Sequence, residues 1–219
     1  MSSYNQIVED CVSKLGKIKI VPVLAIESVE DGIKMCEILN DNNLKAAEIT
    51  FRTDAAEEII RQASKKFPEM VIGAGTVLNK EDLHRAFNAG AKFAVAPGFN
   101  PTVVKEAVAN NYPFFPGIAN PSQFEQAYEL GVRMFKFFPA EQAGGVPFLK
   151  SLLAPYKHLG IKIMPTGGLN TTNIGDYLSI SEVPAAGGTW LGKSTDIEAG
   201  NWDEITKLVQ NAVKLAEKF

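Results

Sequence analysis

Short apolar runs alternate with amphipathic segments over almost the whole chain from residue 18 onward, and this alternation is the feature that most constrains the fold. Eight of the runs have the length and composition of buried strands, and they lie near 18–25, 46–51, 70–75, 92–96, 113–117, 133–138, 161–165 and 183–187. The segments that follow them have the apolar spacing of helices that cover a sheet, and they lie near 28–42, 54–66, 79–89, 100–110, 121–130, 147–156, 170–178 and 201–217. A short extra helix is predicted near 4–15.

Eight strand–helix units with short connections favour a (β/α)8 TIM barrel that forms a single domain over residues 1–219, because each crossover helix covers the outer face of a parallel sheet. An open doubly wound sheet is the alternative. A sheet of that kind that binds a dinucleotide needs a GxGxxG turn after its first strand, and Ile26-Glu27-Ser28-Val29 has no glycine. The barrel predicts that functional residues collect at the C-terminal ends of the strands.

The composition excludes several classes of partner. Of the 219 residues, 46% are hydrophobic and 21% charged, which is typical of a globular protein. The net charge is −3 and no basic block occurs, so we expect neither a nucleic-acid nor a membrane partner. The first six residues lack the charged start and apolar stretch of a signal peptide, which predicts an intracellular, cytoplasmic protein.

Cysteine and histidine offer little for chemistry in this sequence. Cys11 and Cys36 fall in helical patterns without a CxxC motif, so we interpret both as reduced packing residues. His84 and His158 are the two histidines of the chain, too few for a typical zinc site. We therefore expect a reaction that needs neither a metal nor a cofactor.

Lys136 is the most informative single residue, because it lies within Phe135-Lys136-Phe137-Phe138-Pro139, a run typical of a buried strand. A buried ammonium either finds a charged partner or becomes a neutral amine, and a neutral amine is a nucleophile that can form a Schiff base with a ketone. Alternatively, the side chain lies along apolar surface and its amine reaches solvent.

Glu48 lies in the middle of the second predicted strand. The two-residue period of a strand puts Glu48, Thr50 and Arg52 on one face. If that face is the barrel interior, Glu48 reaches towards Lys136 and Arg52 lies one layer higher, where it can bind an anion. An ion pair of Glu48 with a lysine or arginine and no catalytic role is the alternative, although such a buried pair is a costly structural device.

The third and fourth predicted strands end in small residues followed by a turn, Gly73-Ala74-Gly75-Thr76 and Ala94-Val95-Ala96-Pro97-Gly98. Glycines in strands mark close packing, and at the rim of a barrel they also leave room for a ligand. Both interpretations stay open for Gly73 and Gly75. If a ligand binds there, Thr76 offers it a hydroxyl.

Two late loops have the composition of an anion site. Pro165-Thr166-Gly167-Gly168 follows the seventh strand, and Gly187-Gly188-Thr189-Trp190 follows the eighth. Glycine pairs let backbone N–H groups approach an oxyanion, and barrels bind phosphate at these two positions. One such pair alone indicates only a turn. Two after consecutive strands favour a substrate phosphate.

Five segments together resemble, in order and spacing, the bacterial 2-keto-3-deoxy-6-phosphogluconate (KDPG) and 4-hydroxy-2-oxoglutarate (KHG) aldolases. They are Glu48-Ile49-Thr50-Phe51-Arg52-Thr53, Gly73-Ala74-Gly75-Thr76-Val77-Leu78, Phe135-Lys136-Phe137-Phe138-Pro139-Ala140-Glu141, Pro165-Thr166-Gly167-Gly168 and Gly187-Gly188-Thr189-Trp190. The resemblance covers nearly the whole chain. It implies a class I aldolase on a (β/α)8 barrel, usually a homotrimer, that acts on a small keto acid.

The resemblance also implies roles for individual residues. Lys136 falls on the Schiff-base lysine and Glu48 on the general acid/base carboxylate. The family's residues that bind or adjoin the pyruvate part of the substrate match Arg52, Thr76, Pro97, Phe138 and Thr166. Its phosphate-binding residues match Gly167, Gly168, Gly188 and Thr189. Many members have serine where this chain has Thr189, whose added methyl narrows the loop and bears on phosphate affinity.

The implied reaction begins when Lys136 attacks the C2 ketone and forms an iminium, which draws electrons from the C3–C4 bond as it breaks. Glu48, through a water, removes the C4 hydroxyl proton and later protonates the enamine, so that pyruvate is released. The other product is glyceraldehyde 3-phosphate from KDPG and glyoxylate from KHG.

Three alternative functions remain open. The substrate of the same lysine chemistry can be the galactonate epimer or an unphosphorylated 2-keto-3-deoxy acid. A phosphate-binding barrel isomerase without a covalent step, or a non-catalytic barrel that binds sugar phosphate, belongs to a different class. Both of these leave the pairing of Lys136 with Glu48 unexplained.

Overall fold

The computed structural model describes residues 3–219. The predicted domain begins at Met1, and Met1 and Ser2 lie outside the described residues. Nine strands are present in that range: β1 (Ile20–Leu24), β2 (Ala46–Thr50), β3 (Val71–Gly75), β4 (Phe93–Val95), β5 (Phe114–Phe115), β6 (Gly117–Ile118), β7 (Met134–Phe137), β8 (Lys162–Pro165) and β9 (Ala186–Gly188). Each of the eight predicted strands overlaps an observed strand, and the predicted strand 113–117 overlaps two, β5 and β6.

Helices precede and separate most of the strands. In residues 3–219 they are α1 (Tyr4–Ile18), α2 (Val29–Asp41), α3 (Ala56–Lys66), α4 (Lys80–Asn88), α5 (Pro101–Ala109), α6 (Pro121–Glu129), α7 (Gly145–Leu153), α8 (Ile174–Leu178), α9 (Ser194–Glu198) and α10 (Trp202–Ala216), with a 3₁₀ helix (Ala154–Leu159) after α7. Asparagine or serine side chains cap the N-termini of α2, α4, α5 and α6 by accepting a backbone N–H.

All strand pairs are parallel. One sheet has the order β5-β4-β3-β2-β1-β9, and a second has the order β6-β7-β8. An isolated parallel bridge between Thr166 and Gly187 joins the ends of β8 and β9, and only Pro116 separates β5 from β6. The chain therefore has an α/β fold with a curled parallel sheet, as predicted.

The strands divide their side chains between two apolar clusters with the period of two expected of a pleated sheet. On β4, Phe93 and Val95 belong to an inner cluster and Ala94 to an outer cluster between the sheet and the helices. The inner cluster contains Val8, Cys11, Leu15, Val21, Ala46, Val71, Phe93, Val95, Phe115, Met134, Met164 and Ala185. The curled sheet thus encloses a packed interior.

The predicted strand 113–117 is broken in two. Pro116 has no N–H to donate to a ladder. At Gly117, a Cβ would lie 2.1 Å from the carbonyl oxygen of Pro97, so only glycine allows this approach of two backbones. The Gly117 N–H donates to the carbonyl of Gly98 at 3.2 Å, and the break moves the chain against the rim of β4.

Two helices differ from the prediction at their ends. The predicted helix 147–156 ends at Leu153 and continues as a 3₁₀ helix, because Pro155 cannot donate the next helical hydrogen bond. The predicted helix 170–178 begins only at Ile174. Asn173 Oδ1 accepts the Asn170 N–H at 2.8 Å, and this side-chain turn competes with the first helical turn. Helix α9 was not predicted at all.

Helix α1 covers the N-terminal ends of the strands. Its apolar face, Val8, Cys11 and Leu15, completes the inner cluster. Cys11 and Cys36 are free and buried, and burial raises the pKa of each thiol to about 12, which fits packing residues. Within residues 3–219, no helix is long and apolar enough to span a bilayer.

Candidate active site

A cavity of about 140 Å³ opens at the C-terminal ends of the strands. Eleven of the thirteen residues that line it are the eleven site residues predicted from the sequence, and Val23 and Thr50 complete the set. The predicted residues are Glu48, Arg52, Thr76, Pro97, Lys136, Phe138, Thr166, Gly167, Gly168, Gly188 and Thr189. The fold therefore brings together, in one place, side chains from strands and loops far apart in the chain.

Buried polar groups are concentrated in this cavity. Of the side chains described in residues 3–219, four buried ones are polar or charged, namely Glu48, Thr50, Lys136 and Thr166, and all four line the cavity. Removing charged groups from water is costly. A cluster of buried polar side chains at the C-terminal ends of parallel strands is typical of a catalytic site.

Lys136 and Glu48 form an ion pair across the interior. Lys136 lies on β7, 5% exposed, and its Nζ donates to Glu48 Oε1 at 3.0 Å and to Oε2 at 3.2 Å. Glu48 lies on β2, 1% exposed. The amine therefore does not reach solvent in this structure, and its partner is the carboxylate 88 positions away rather than a neighbour in sequence.

The glycines of β3 make room for this arrangement. A Cβ on Gly75 would lie 2.3 Å from Glu48 Oε1, and a Cβ on Gly73 would lie 2.3 Å from the ring of Phe93. The strand thus leaves space for the carboxylate at its C-terminal end and for an aromatic ring below it. Both glycines allow close packing. Gly75, at the rim, makes room for Glu48, a candidate catalytic residue.

Arg52 is held at the cavity by Thr50. Thr50 Oγ1 accepts a hydrogen bond from Arg52 Nε at 3.2 Å and donates one to the carbonyl of Leu24 at 3.0 Å. This bond engages Nε and leaves the two terminal nitrogens of the guanidinium to bind an anion. Thr50 was predicted to share a face with Glu48 and Arg52, but not as a site residue.

Thr166 carries a hydroxyl that no group among residues 3–219 satisfies, although its Oγ1 is buried. A Cβ on Gly187 would lie 2.9 Å from this oxygen, so the glycine of β9 allows the threonine to fit. A buried hydroxyl without a partner is costly unless a ligand or water supplies one. Thr76 lies opposite at the end of β3, with its backbone in the left-handed region at φ 58°.

The two glycine loops expose backbone donors. Gly167 and Gly168 have φ values of 106° and 77°, which favour glycine. Their N–H groups, and that of Thr189, donate to no acceptor within residues 3–219. At Gly188, a Cβ would lie 1.9 Å from the Trp190 ring, which packs directly on the loop. Free backbone donors from two loops at one cavity suit an oxyanion.

Three further contacts support the first loop from behind. Ala140 N–H donates to the Thr166 carbonyl at 2.9 Å, and Glu141 N–H donates to the Gly167 carbonyl at 3.1 Å. The Glu141 carboxylate accepts a hydrogen bond from the Tyr177 hydroxyl. Burial and that bond raise the pKa of Tyr177. Tyr177 was not predicted as a supporting residue, because only the fold places α8 beside this loop.

A second cavity, about 320 Å³ in volume, adjoins the first and shares Val23, Arg52 and Thr189 with it. Its remaining lining comes from Ala25 and from the segment that starts helix α9, Gly192, Lys193, Ser194 and Thr195. Neither these residues nor the helix was predicted from the sequence. The signal that could have found them is the serine and threonine pair directly after Lys193, typical of a helix start.

The cavity provides a buried amine, a carboxylate within proton-transfer distance, an arginine and free backbone donors. That set can form an iminium with a ketone, move protons and hold an anionic group. Within residues 3–219, no three His, Cys, Asp or Glu side chains cluster so as to hold a metal ion. The expectation of metal- and cofactor-free chemistry stays a prediction.

Comparison with known proteins gives a consistent result. A family model for KDPG and KHG aldolase matches residues 11–208. Over 207 residues the chain is 44% identical to a Haemophilus influenzae protein named 2-dehydro-3-deoxy-phosphogluconate aldolase, with 94% of this chain and 97% of the relative covered. It is 38% identical over 198 residues to an Escherichia coli protein named KHG/KDPG aldolase, with 90% and 92% covered.

A solved structure also resembles this one closely. It is a KDPG aldolase from Legionella pneumophila with pyruvate captured at low pH as a covalent carbinolamine intermediate. The TM-score is 0.87 and the sequence identity is 32%, with 92% of this chain and 97% of that chain covered.

Proposed function

The chain belongs to the KDPG and KHG aldolase family, and on that premise we propose that it is a class I aldolase that cleaves KDPG to pyruvate and glyceraldehyde 3-phosphate. Lys136 is its Schiff-base lysine. The observation that carries this assignment is the buried Lys136–Glu48 pair at the C-terminal ends of the strands. A lysine nucleophile needs a neighbouring base and a closed environment, and this lysine has both.

The reaction starts with a proton transfer within the pair. Glu48 Oε1 lies 3.0 Å from Nζ, so it can accept a proton from the ammonium and free the nitrogen lone pair. Nζ then adds to C2 of the keto acid, and loss of the C2 oxygen as water gives the iminium. Arg52 and the Thr166 hydroxyl bind the carboxylate end and orient C2 towards Nζ.

Cleavage uses the same carboxylate. Glu48 takes the C4 hydroxyl proton through a water, the C3–C4 electrons move into the iminium, and the aldehyde leaves with an enamine on Lys136. Protonation of the enamine at C3 and attack of water on the resulting iminium release pyruvate and restore the amine. Every proton taken up is returned, and the electron pair of the broken C3–C4 bond ends in the new C3–H bond of pyruvate. The cycle therefore needs no external oxidant or reductant.

The phosphate of the substrate binds to the loops at Gly167, Gly168, Gly188 and Thr189. Free N–H groups at three of these residues support this placement. Thr76, Pro97 and Phe138 form the wall between the two ends of the site. Phe138 has its ring centroid 5.7 Å from Nζ, where it shields the amine and adds a cation–π contact.

KHG is the second candidate substrate, because it has the same keto acid end as KDPG, which Arg52 and the Thr166 hydroxyl can bind in the same way. Its second carboxylate stands in place of the phosphorylated chain. The same lysine cycle then yields pyruvate and glyoxylate.

Three structural and cellular assignments accompany the function. We propose that the residues form one barrel domain whose sheet closes, supported by the Thr166–Gly187 bridge and by the adjacency of β5 and β6. The family resemblance implies a homotrimer, and sedimentation can test this oligomeric state. Leu78, 52% exposed, is a candidate residue for the contact between subunits. Free thiols in Cys11 and Cys36 support a cytoplasmic location.

Trapping with borohydride tests the lysine mechanism. We expect incubation with pyruvate and borohydride to give one stable adduct, on the peptide that contains Lys136, and none without pyruvate. A folded protein without an adduct would remove the covalent mechanism and favour the isomerase or the binding barrel.

A substrate panel tests the rest of the proposal. Cleavage should be fastest for KDPG and slower for its galactonate epimer and for the unphosphorylated acid. Equal rates for the phosphorylated and free acids would contradict the phosphate site, and a faster epimer would reassign the stereochemistry at C4.

A further inference from the structure

A cavity larger than the catalytic one lies at the opposite end of the strands. It is a groove of about 530 Å³ beneath helix α1, and it shares no residue with the catalytic cavity. Its lining consists of Ile7, Asp10, Cys11, Lys14, Lys17, Ile18, Lys45, Pro68, Glu69, Met70, Val71, Lys92 and Pro113. Its volume is within the range of small-molecule sites.

Lysines from several separate segments meet at this groove. Lys14 and Lys17 lie on α1, three residues apart and on the same face of the helix. Lys45 precedes β2 and Lys92 precedes β4, so they stand on the opposite wall. None of the four forms an ion pair with any carboxylate in residues 3–219, whereas Lys34, Lys66 and Lys80 do.

The carboxylates at the groove do not neutralise these lysines. Asp10 and Glu69 are the two acidic residues in its lining. Asp10 accepts a hydrogen bond from Gln6 within α1, and Glu69 has no ion-pair partner among the described residues. Four ammonium groups against two carboxylates leave an excess of two positive charges on a chain whose net charge is −3.

The floor of the groove is apolar. Met70, Val71 and Cys11 are buried beneath it, and Pro68 and Pro113 form its ends. Burial keeps the Cys11 thiol neutral, with a pKa raised to about 12. A ligand that matches this surface has an apolar or aromatic body on the floor and anionic groups that reach lysines on both walls.

We propose that this groove is a second binding site, for a small multivalent anion that carries phosphate or carboxylate groups on an apolar or aromatic body. Such a ligand bridges α1 to the starts of β2 and β4. Because α1 closes the inner cluster at this end, a bound ligand raises the thermal stability of the protein without touching the catalytic pair. A monovalent ion offers the four lysines a single negative charge, so we expect it to bind more weakly.

Isothermal titration with ATP and with inorganic triphosphate at physiological ionic strength tests the site. The test variant is Lys14→Glu with Lys92→Glu, and the control is Lys105→Glu with Lys150→Glu, which changes the net charge equally at exposed positions outside both cavities. We expect the test variant to weaken ATP binding by roughly tenfold or more and the control by less than about threefold. We also expect ATP to bind more tightly than triphosphate, since only ATP has a body for the apolar floor.

Equal affinities in the two double variants would overturn the site, as would the absence of saturable binding of either probe to the natural protein. Lysine acetylation of the natural protein gives a second test that needs no substitution. ATP should protect Lys14, Lys17, Lys45 and Lys92 more than Lys105 and Lys150, as read by peptide mass spectrometry. Uniform acetylation with and without ATP would also reject the proposal.

Discussion

The two ends of the strands hold their charged residues in opposite ways. At the C-terminal end Lys136 and Glu48 are buried and paired inside the curled sheet, at 5% and 1% exposure. At the N-terminal end the interior is wholly apolar, from Val71 and Phe93 to Leu15 of α1, and the lysines stand at the rim. Among residues 3–219, the buried charged side chains are Glu48 and Lys136, which lie where the proposed chemistry needs them.

The residues that stabilise the fold and the residues proposed for catalysis therefore lie at opposite ends of the same strands. On β7, for example, the inward-facing row starts with Met134, which packs in the inner cluster, and continues with Lys136, which lines the catalytic cavity. Substitutions at the lower end should therefore change the free energy of unfolding, and those at the upper end should change the chemistry.

The largest effect is expected at the upper end, for Lys136→Ala. Without the amine no iminium forms, so cleavage of KDPG should fall by about ten-thousandfold or more, and borohydride should trap no pyruvate. Lys162→Ala, on the neighbouring strand β8 at its N-terminal end, is the matched control and should keep the adduct. A trapped pyruvate adduct in Lys136→Ala would contradict the assignment of Lys136 as the Schiff-base lysine.

The lower end should respond in stability instead. Phe115→Ala removes a ring that stacks on Phe93 with 5.6 Å between centroids, and it should lower the free energy of unfolding by about 3–5 kcal/mol. Denaturant titration measures this loss. The adduct on Lys136 should still form under conditions where the variant is folded. A loss of trapping in the folded variant would show that the two ends are not separable.

Glu48→Gln should have the next largest effect. The amide keeps the shape of the side chain but cannot accept the proton, so cleavage should slow by roughly a hundredfold or more while pyruvate capture persists. Glu69→Gln, at the rim of the lower groove, changes the same charge and should leave the rate unaltered. Full activity in Glu48→Gln would reduce the ion pair to a structural role.

Gly168→Ala should have the smallest effect of the four. A Cβ there meets Glu141 Cβ at 2.7 Å and the backbone has φ 77°, so the loop must shift and KM for KDPG should rise about tenfold. Gly98→Ala is the matched control at the same end, because its Cβ meets nothing within 4 Å. Steady-state kinetics with KDPG and KHG should show a smaller change for KHG. An equal change for both would place the phosphate elsewhere.

Much of the fold followed from local pattern. The apolar period of two or of 3.6 depends only on neighbours in sequence, so all eight strand regions and most helices were found. The differences arose where long-range contacts decide. The break at Pro116 is fixed by the approach of Gly117 to Pro97. Helix α9, five residues long, is too short to show an apolar period.

The sequence by itself determined the alternating strands and helices, the shared strand face of Glu48, Thr50 and Arg52, and the placement of a lysine in an apolar strand. These depend on spacing along one chain segment. Only the tertiary structure decided that the Lys136 amine meets Glu48, that Gly75 makes room for that carboxylate, and that lysines of separate segments share a groove under α1. The physical reason is that pairing and burial depend on distances between segments, which are set when the sheet curls and the helices pack.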